Sequence, residues 1–369
     1  MSIKKGHLCS LFDFAKNRNK CYSLSMTKTV QVGNLTLGGN SPIAVQTMYD
    51  LPLSSLEEGF EARMHVLKGM GCDIIRFSYP TISEHDALCN VVKLCPMPVV
   101  ADIHFDWRNA MDAIDCKVAK IRINPGNIGA RWKTEEVVKK AKDNNVAIRI
   151  GLNSGSLPKN DSLKPVEDLM VDTALEYISW FENLGFFNTV VSLKASDTET
   201  SYKAALKFSQ NSDYPLHLGV TEAGGVVSSC VRSTWTLGRL LSQGIGATIR
   251  YSITGSIESE VYAAVELLRT LGLRKGGVKI ISCPMCGRKS FDSQGFLKEV
   301  ESDLLATGKD ITVAIMGCQV NGPGEAKGAD IAISGIGNNV YLYKNGEVLK
   351  QVEACLAKEE LLKAVQDFC

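Results

Sequence analysis

From Val30 onward the chain alternates short apolar runs of strand length with longer stretches whose apolar residues recur at helical spacing. A hairpin pattern comes first, Val30-Gln-Val-Gly-Asn-Leu-Thr-Leu-Gly38, punctuated by Gly and Asn. The strand-like runs that follow are Ile43–Thr47, Asp73–Phe77, Val99–Ile103, Lys120–Asn124, Ala147–Gly151, Thr189–Leu193, Leu216–Val220 and Ala247–Tyr251. Helical spacing occupies residues 56–70, 134–144, 166–184, 201–210 and 230–243 between them, and 257–271 after the last. Strand and helix alternating eight times predict a parallel (β/α)8 barrel of the TIM type. An open doubly wound sheet is disfavoured, because no run leads into a G-x-G-x-x-G turn.

A Gly-, Lys- and Arg-rich break at Gly272–Gly277 ends this pattern. Beyond it, strands at 278–281, 311–316 and 330–334, a helix at 296–306, a hairpin turning on Asn345-Gly346 and a last helix at 358–368 predict a smaller α+β domain. The expected division is an N-terminal extension over 1–29, a barrel over 30–273 and a second domain over 277–369. The extension carries Lys4, Lys5, Lys16, Arg18 and Lys20 around a short Leu11-Phe12 segment. Without a continuous apolar core or a small-residue cleavage site it reads as a mobile or docking segment, not a secretory signal.

Composition narrows the class. A formal charge of +1 over 369 residues gives no global attraction to nucleic acid or to a membrane surface, so anion recognition has to be local. No apolar run approaches the roughly 18 residues of a membrane span. The 12 cysteines are scattered, most in apolar stretches, which reads as free thiols in a reducing cytoplasm and not as a disulfide framework.

In a barrel of this type the chemistry sits at the C-terminal ends of the strands. Those ends supply Gln46, Arg76, Asp102 with His104, Arg122 with Asn124, Arg149 with Asn153, Lys194, Glu222, and Arg250 with Ser252. Charged side chains inside apolar strands are unfavourable unless paired or liganded. Pairing with Asp102 and Glu222 cannot absorb Arg76, Arg122, Arg149, Lys194 and Arg250, and the surplus implies a bound anion of more than one charge, such as a diphosphate. Asn124, Asn153, Ser252 and the 151–155 loop add neutral donors. Glu222, flanked by glycines, is either a proton donor or an arginine's partner, and His104 either orients a neighbour or acts in catalysis. His65, His85 and His217 read as surface or core residues without a role.

The second domain carries Cys283-Pro-Met-Cys286 and, far downstream, Gly317-Cys318-Gln-Val-Asn-Gly-Pro-Gly-Glu325. A CxxC turn closed by a distant third thiolate suits zinc or an iron–sulfur cluster. No fourth cysteine or histidine stands at CxxC spacing after Cys318. Glu325 is the nearest further ligand, and a carboxylate is one that a substrate oxygen could displace.

The motifs Cys-Pro-x-Cys-Gly-Arg and Met-Gly-Cys-x-Val-Asn-Gly-Pro-Gly-Glu-Ala resemble the iron–sulfur domain of the 4-hydroxy-3-methylbut-2-enyl diphosphate synthase family, in the methylerythritol phosphate route to isoprenoids. The resemblance extends over the barrel through Arg76, Ala101-Asp-Ile-His104, Ile121-Arg-Ile-Asn-Pro-Gly126, Arg149-Ile-Gly-Leu-Asn-Ser-Gly-Ser156, Leu193-Lys194 and Gly219-Val-Thr-Glu-Ala-Gly224. It implies a two-electron reductive opening of 2-C-methyl-D-erythritol 2,4-cyclodiphosphate. It also implies a [4Fe–4S] cluster on Cys283, Cys286, Cys318 and Glu325, with Glu325 exchanging for a substrate oxygen; from its own setting among the cations, Glu222 is the candidate proton donor to the leaving hydroxyl. A ferredoxin or flavodoxin would supply the electrons, in the absence of a flavin or nicotinamide fingerprint. The short linker implies the compact two-domain form of the family, working as a head-to-tail homodimer in which each small domain caps the partner's barrel.

Overall fold

The computed structural model describes residues 27–157, 164–284, 286–288, 290–318, 324–325, 327–336 and 339–368. Nearly all of the predicted extension therefore lies outside the described residues. Where the description starts, the chain is already fastened: the Lys28 amide donates to the Asp213 carbonyl at 2.7 Å, and its ammonium sits 4.0 Å above the Tyr214 ring.

The expected hairpin is present as β1 (Val30–Val32) and β2 (Leu35–Leu37), turning at Gly33 with φ 60°. Val30, Val32 and Leu37 are fully buried and pack against Ala44, Ile74, Val100, Ala147, Val190 and Ala247, low on the barrel strands. The hairpin thus forms the barrel floor, where alternation places small and branched side chains inward.

Eight parallel strands make the wall: β3 (Ala44–Met48), β4 (Ile74–Ser78), β5 (Val99–Asp102), β6 (Lys120–Ile123), β7 (Ala147–Asn153), β8 (Thr189–Lys194), β9 (His217–Leu218) and β10 (Thr248–Ile249). Their order is β8-β7-β6-β5-β4-β3-β10-β9, and a parallel bridge from Val191 to Leu216 closes the ring. The last two strands are shorter than their apolar runs predict. Gly219 and Gly246 flank them: a Cβ on Gly219 would lie 2.7 Å from the Arg250 carbonyl oxygen, and Gly246 takes φ 125°. Backbone bonds from Ala247 to Leu216 and from Arg250 to Leu218 keep the wall continuous there.

Outward-facing Val45, Ile75, Phe77, Ile121, Ile148 and Val191 share one apolar core with helix residues such as Met64, Leu67, Val138, Phe181 and Leu240. The helices Phe60–Gly69, Arg131–Asp143, Val166–Asn183, Thr198–Asn211, Val226–Leu241 and Ile257–Thr270 fall where helical spacing predicts them. Two further helices, His85–Leu94 and Trp107–Asp115, complete the ring.

After the break, β11 (Lys279–Ser282), β12 (Thr312–Met316), β13 (Ile331–Ile336), β14 (Asn339–Lys344) and β15 (Glu347–Glu353) form a second sheet in sequence order. The first three strands run parallel and the last two antiparallel. Asn345 (φ 52°) and Gly346 (φ 83°) make the hairpin turn, the left-handed pair that an Asn-Gly loop favours. The helices Ser293–Ala306 and Ala357–Gln366 cover one face, burying Val300, Leu304, Leu361 and Val365 with Val313, Ile315, Ile331 and Ile333.

This second unit is fastened to the floor end of the barrel. A Cβ on Gly69 would lie 2.4 Å from the Ala306 carbonyl oxygen, so two helix ends meet closely there. The Arg274 guanidinium pairs with Asp73, just before β4, at 2.8 and 3.1 Å. Arg269 donates to the carbonyls of Gly277 and Val278. Among the described residues no helix is long and apolar enough to cross a membrane.

Candidate active site

Register decides what fills the upper barrel. Met48 pairs with Arg76, Arg76 with Val100, Val100 with Lys120, Asp102 with Arg122, Arg122 with Arg149, and Asn153 with Lys194. Residues paired across neighbouring strands point to the same face, so this row faces inward together. Gly151 and Gly219 leave room for it: a Cβ would stand 2.3 Å from Arg122 Nε at the first and 2.7 Å from Lys194 Nζ at the second.

Acids are few among these cations. Asp102 lies 3.3 Å from Arg122 and 3.8 Å from Arg76, with the half-exposed His104 3.7 Å away. Arg250 donates two bonds of 2.9 and 3.0 Å to Glu260, which also accepts from the Thr47 hydroxyl and the Ile253 amide. Of the acids weighed as partners for the strand arginines, Asp102 serves, whereas Glu260 and not Glu222 holds Arg250. Glu222 stands exposed on the loop after β9, with φ 53°.

Arg149 is 2 % exposed, yet among the described residues its Nε and Nη1 have no hydrogen-bond partner, and neither does Arg122 Nε. Buried guanidinium N–H groups are rarely left unmet, which marks a place for acceptors. Asn124 donates to the Ser156 hydroxyl at 3.2 Å and accepts from the Gly126 amide, at the end of β6. Asn153 and Ser252 are half-buried on the same rim.

The electrostatics follow. Burial, reinforced by neighbouring cations, pushes Arg149, Lys120 and Lys194 well below their ordinary range. Burial also brings Arg76 down to about 10, against the attraction of Asp102. For Asp102 burial works the other way, but Arg76, Arg122, Arg149 and His104 outweigh it and hold the carboxyl at about 2. The barrel interior therefore gathers cationic side chains whose charged forms burial and one another disfavour.

Three participants were not foreseen. Lys120 is fully buried, 3.4 Å from the Gln46 amide oxygen, on the inward parity of Arg122 and Asn124 that its run already displays. His217, expected to have no role, lies inside the barrel with Nε2 3.0 Å from Lys194 Nζ and Nδ1 2.6 Å from the Thr248 hydroxyl. Burial, then Lys194, lowers its pKa well below the usual value. Glu260 comes from the first turn of the helix Ile257–Thr270, where strand parity gives no signal.

In the second unit, parallel pairing of Ser282 with Ile315 sets the ends of β11 and β12 side by side. That juxtaposes Cys283 with the Gly317-Cys318 turn: the Gly317 amide donates to Cys283 Sγ at 3.2 Å. The turn is pinned by Ser334, which donates to the Cys318 carbonyl at 3.1 Å, and by the Ser290 amide bonded to the Gly317 carbonyl at 2.8 Å. Cys318 is buried, Cys283 half-buried, and Cys286 and Glu325 exposed. Thiols at adjacent strand ends with an amide aimed at sulfur fit a thiolate-held cluster. One pair of cysteines departs from the free-thiol expectation: Cys89 and Cys116 are joined as a disulfide.

Residues 27–265 match the family described as the GcpE TIM-barrel domain, and residues 279–367 match the GcpE protein C-terminal domain. The chain is 43 % identical to the 4-hydroxy-3-methylbut-2-en-1-yl diphosphate synthase (flavodoxin) of Treponema denticola, over 93 % of this chain and 97 % of that protein. It is likewise 43 % identical to the enzyme of the same name from Clostridium perfringens, over 92 % of this chain and 98 % of that one. Among solved structures, the dihydropteroate synthase of Xanthomonas albilineans with 4-aminobenzoic acid aligns with a TM-score of 0.49 at 14 % identity, covering 67 % of this chain and 97 % of its own. Matched along both barrel and C-terminal domain, and at this identity to full-length relatives, the chain belongs to the GcpE family, the 4-hydroxy-3-methylbut-2-en-1-yl diphosphate synthases.

Proposed function

We propose that the chain reduces 2-C-methyl-D-erythritol 2,4-cyclodiphosphate to 4-hydroxy-3-methylbut-2-enyl diphosphate and water in the cytoplasm, taking two electrons from flavodoxin or a ferredoxin. The observation that carries this reading is the excess of buried cations at the barrel mouth, with Arg149 N–H groups left unmet among the described residues. The names of the Treponema and Clostridium relatives support the reaction and the flavodoxin.

In this reading the barrel, residues 30–273, binds the substrate, and residues 277–369 carry the redox centre. Arg76, Lys120, Arg122, Arg149, Lys194 and Arg250 surround the diphosphate, while Asn124, Asn153 and Ser252 donate to its remaining oxygens. Asp102 and His104 orient the arginines. As the ring C–O bond opens, negative charge grows on the departing diphosphate oxygen, and fixed guanidinium N–H groups stabilise it without reorganising. Glu222, on an exposed loop between glycines, gives its proton to the leaving hydroxyl, which departs as water. A [4Fe–4S] cluster held by Cys283, Cys286, Cys318 and Glu325 would supply the electrons one at a time.

We further infer a head-to-tail homodimer. The second unit is tied to the floor end of its own barrel through Gly69, Asp73 and Arg274, so another copy's thiol turns are needed at the mouth. Val227, Val231 and Trp235 form an exposed apolar stripe at i, i+4 and i+8 on the helix Val226–Leu241, the kind of surface a partner covers.

The test is an anaerobic absorption and EPR spectrum with iron and zinc quantified, before and after dithionite and the cyclodiphosphate. A reduced-cluster signal that changes on adding substrate is expected. A colourless, zinc-loaded protein would overturn the redox reading.

A further inference from the structure

Four polar side chains meet in the ring of helices around the barrel. The helix His85–Leu94 follows β4 and carries His85 and Cys89 one turn apart; the helix Trp107–Asp115 follows β5 and carries Asp112, with Cys116 at its C-terminal cap four residues on. In each helix the spacing of four places both groups on one face, and the two faces meet. The disulfide joins Cys89 to Cys116, and the imidazole of His85 lies against the pair. Its Nε2 is 3.5 Å from Cys89 Sγ and 4.0 Å from Cys116 Sγ, while its Nδ1 is 3.4 Å from Cys116 Sγ and 3.0 Å from both oxygens of Asp112, so the Cys116 thiol has to turn toward Nε2 once the disulfide opens. Asp112 also accepts a hydrogen bond from the Tyr79 hydroxyl.

A disulfide requires neither a histidine nor a carboxylate. A metal site of the Cys2His kind uses both, the imidazole as ligand and the carboxylate to orient it. Tetrahedral zinc, with Zn–N of about 2.0–2.1 Å and Zn–S of about 2.3 Å, sets nitrogen–sulfur edges near 3.5 Å. The imidazole already stands close to that separation from both sulfurs. With Nδ1–H donated to Asp112, the Nε2 lone pair is left for a metal. This is the carboxylate–histidine relay that fixes tautomer and ring orientation at zinc sites, and Tyr79 anchors the carboxylate in turn.

We propose that, when reduced, Cys89, Cys116 and His85 Nε2 bind one zinc ion, with Asp112 orienting the imidazole and water in the fourth position. A dithiol reductant passes two electrons to the disulfide, becoming a disulfide itself, and its two protons complete the two thiols. Zinc binding then releases those protons as the thiolates coordinate, and a small-molecule disulfide that takes the two electrons back, leaving as two thiols, re-forms the Cys89–Cys116 bond and expels the metal. The site is independent of Cys283, Cys286 and Cys318.

Cobalt(II) is the probe, used on the full chain carrying Cys283→Ser, Cys286→Ser and Cys318→Ser so that no other proposed thiol site competes. After anaerobic treatment with a phosphine reductant, one equivalent should bind with thiolate-to-cobalt charge-transfer absorption and be displaced by zinc. Cys89→Ser or Cys116→Ser should abolish the band, and Asp112→Asn should weaken binding about 10–100-fold. Oxidising the unsubstituted pair should eliminate binding, and re-reduction should restore it without any change of sequence. A reduced chain that shows no saturable band, or a band that survives Cys116→Ser or reoxidation, would overturn the proposal.

Discussion

Arg149 stands among like charges with two guanidinium nitrogens unbonded among the described residues, a condition that a bound anion relieves and an empty barrel does not. Replacing it with methionine should raise the stability of the ligand-free protein by about 1–3 kcal/mol, because an uncompensated buried charge is removed. The same change should weaken inorganic pyrophosphate binding by about tenfold or more. Thermal unfolding and calorimetry on the one variant check both halves, and a variant less stable yet equally tight would contradict the assignment. Lys194 gives the pH dependence. Burial and its cationic neighbours lower its pKa when the site is empty, and a bound anion favours the charged form and raises it again. The complex therefore holds more protons than the free protein, so pyrophosphate binding should take up protons and weaken as pH rises from 6 to 9. Calorimetry in buffers of different ionisation enthalpy reads the uptake, which Lys194→Met should abolish; proton release would refute it. Most of these residues could be read from the sequence, because a charge on the inward parity of an apolar strand announces itself. Lys120 shared that signal and was passed over. Glu260 and the Cys89–Cys116 pair had none, since each partnership joins groups from separate elements.

At the scale of elements, alternating short runs and helical stretches revealed the barrel because each βα unit repeats the same change of period. The strands that shortened, β9 and β10, are those flanked by Gly219 and Gly246, where close backbone approach interrupts regular pairing. The helices His85–Leu94 and Trp107–Asp115 were implied by the eightfold alternation but were given no range of their own. The N-terminal hairpin was legible as a hairpin but not as a floor, for nothing local says what Val30, Val32 and Leu37 will meet. Its role is checked by Leu37→Ala, which opens a cavity beneath the strands and should destabilise the protein by about 2–5 kcal/mol in urea unfolding. Pyrophosphate affinity at the opposite end should stay within about twofold, since sites this far apart behave additively. A loss of affinity larger than the loss of stability explains would mean that the floor also sets the mouth.

The whole molecule joins its barrel and its second sheet at the floor end. Arg274 on Asp73, Arg269 on the carbonyls of Gly277 and Val278, and the tight passage of Gly69 against Ala306 tie the linker and the second sheet to the barrel floor. Sequence showed the short linker but not these contacts, which depend on residues distant along the chain. The attachment has a genetic consequence. If each working site takes its barrel from one copy and its thiols from another, two inactive proteins can repair each other. A chain disabled by Arg149→Met and one disabled by Cys318→Ser, mixed and allowed to exchange subunits, would form hybrids in which one site carries both lesions and the other neither. Random pairing makes about half the dimers hybrid, so activity should return to about a quarter of the unsubstituted level. If barrel and thiols of the same chain worked together, every site in the mixture would carry one lesion and nothing would return, so this complementation assay reads the path of the chain from a reaction rate.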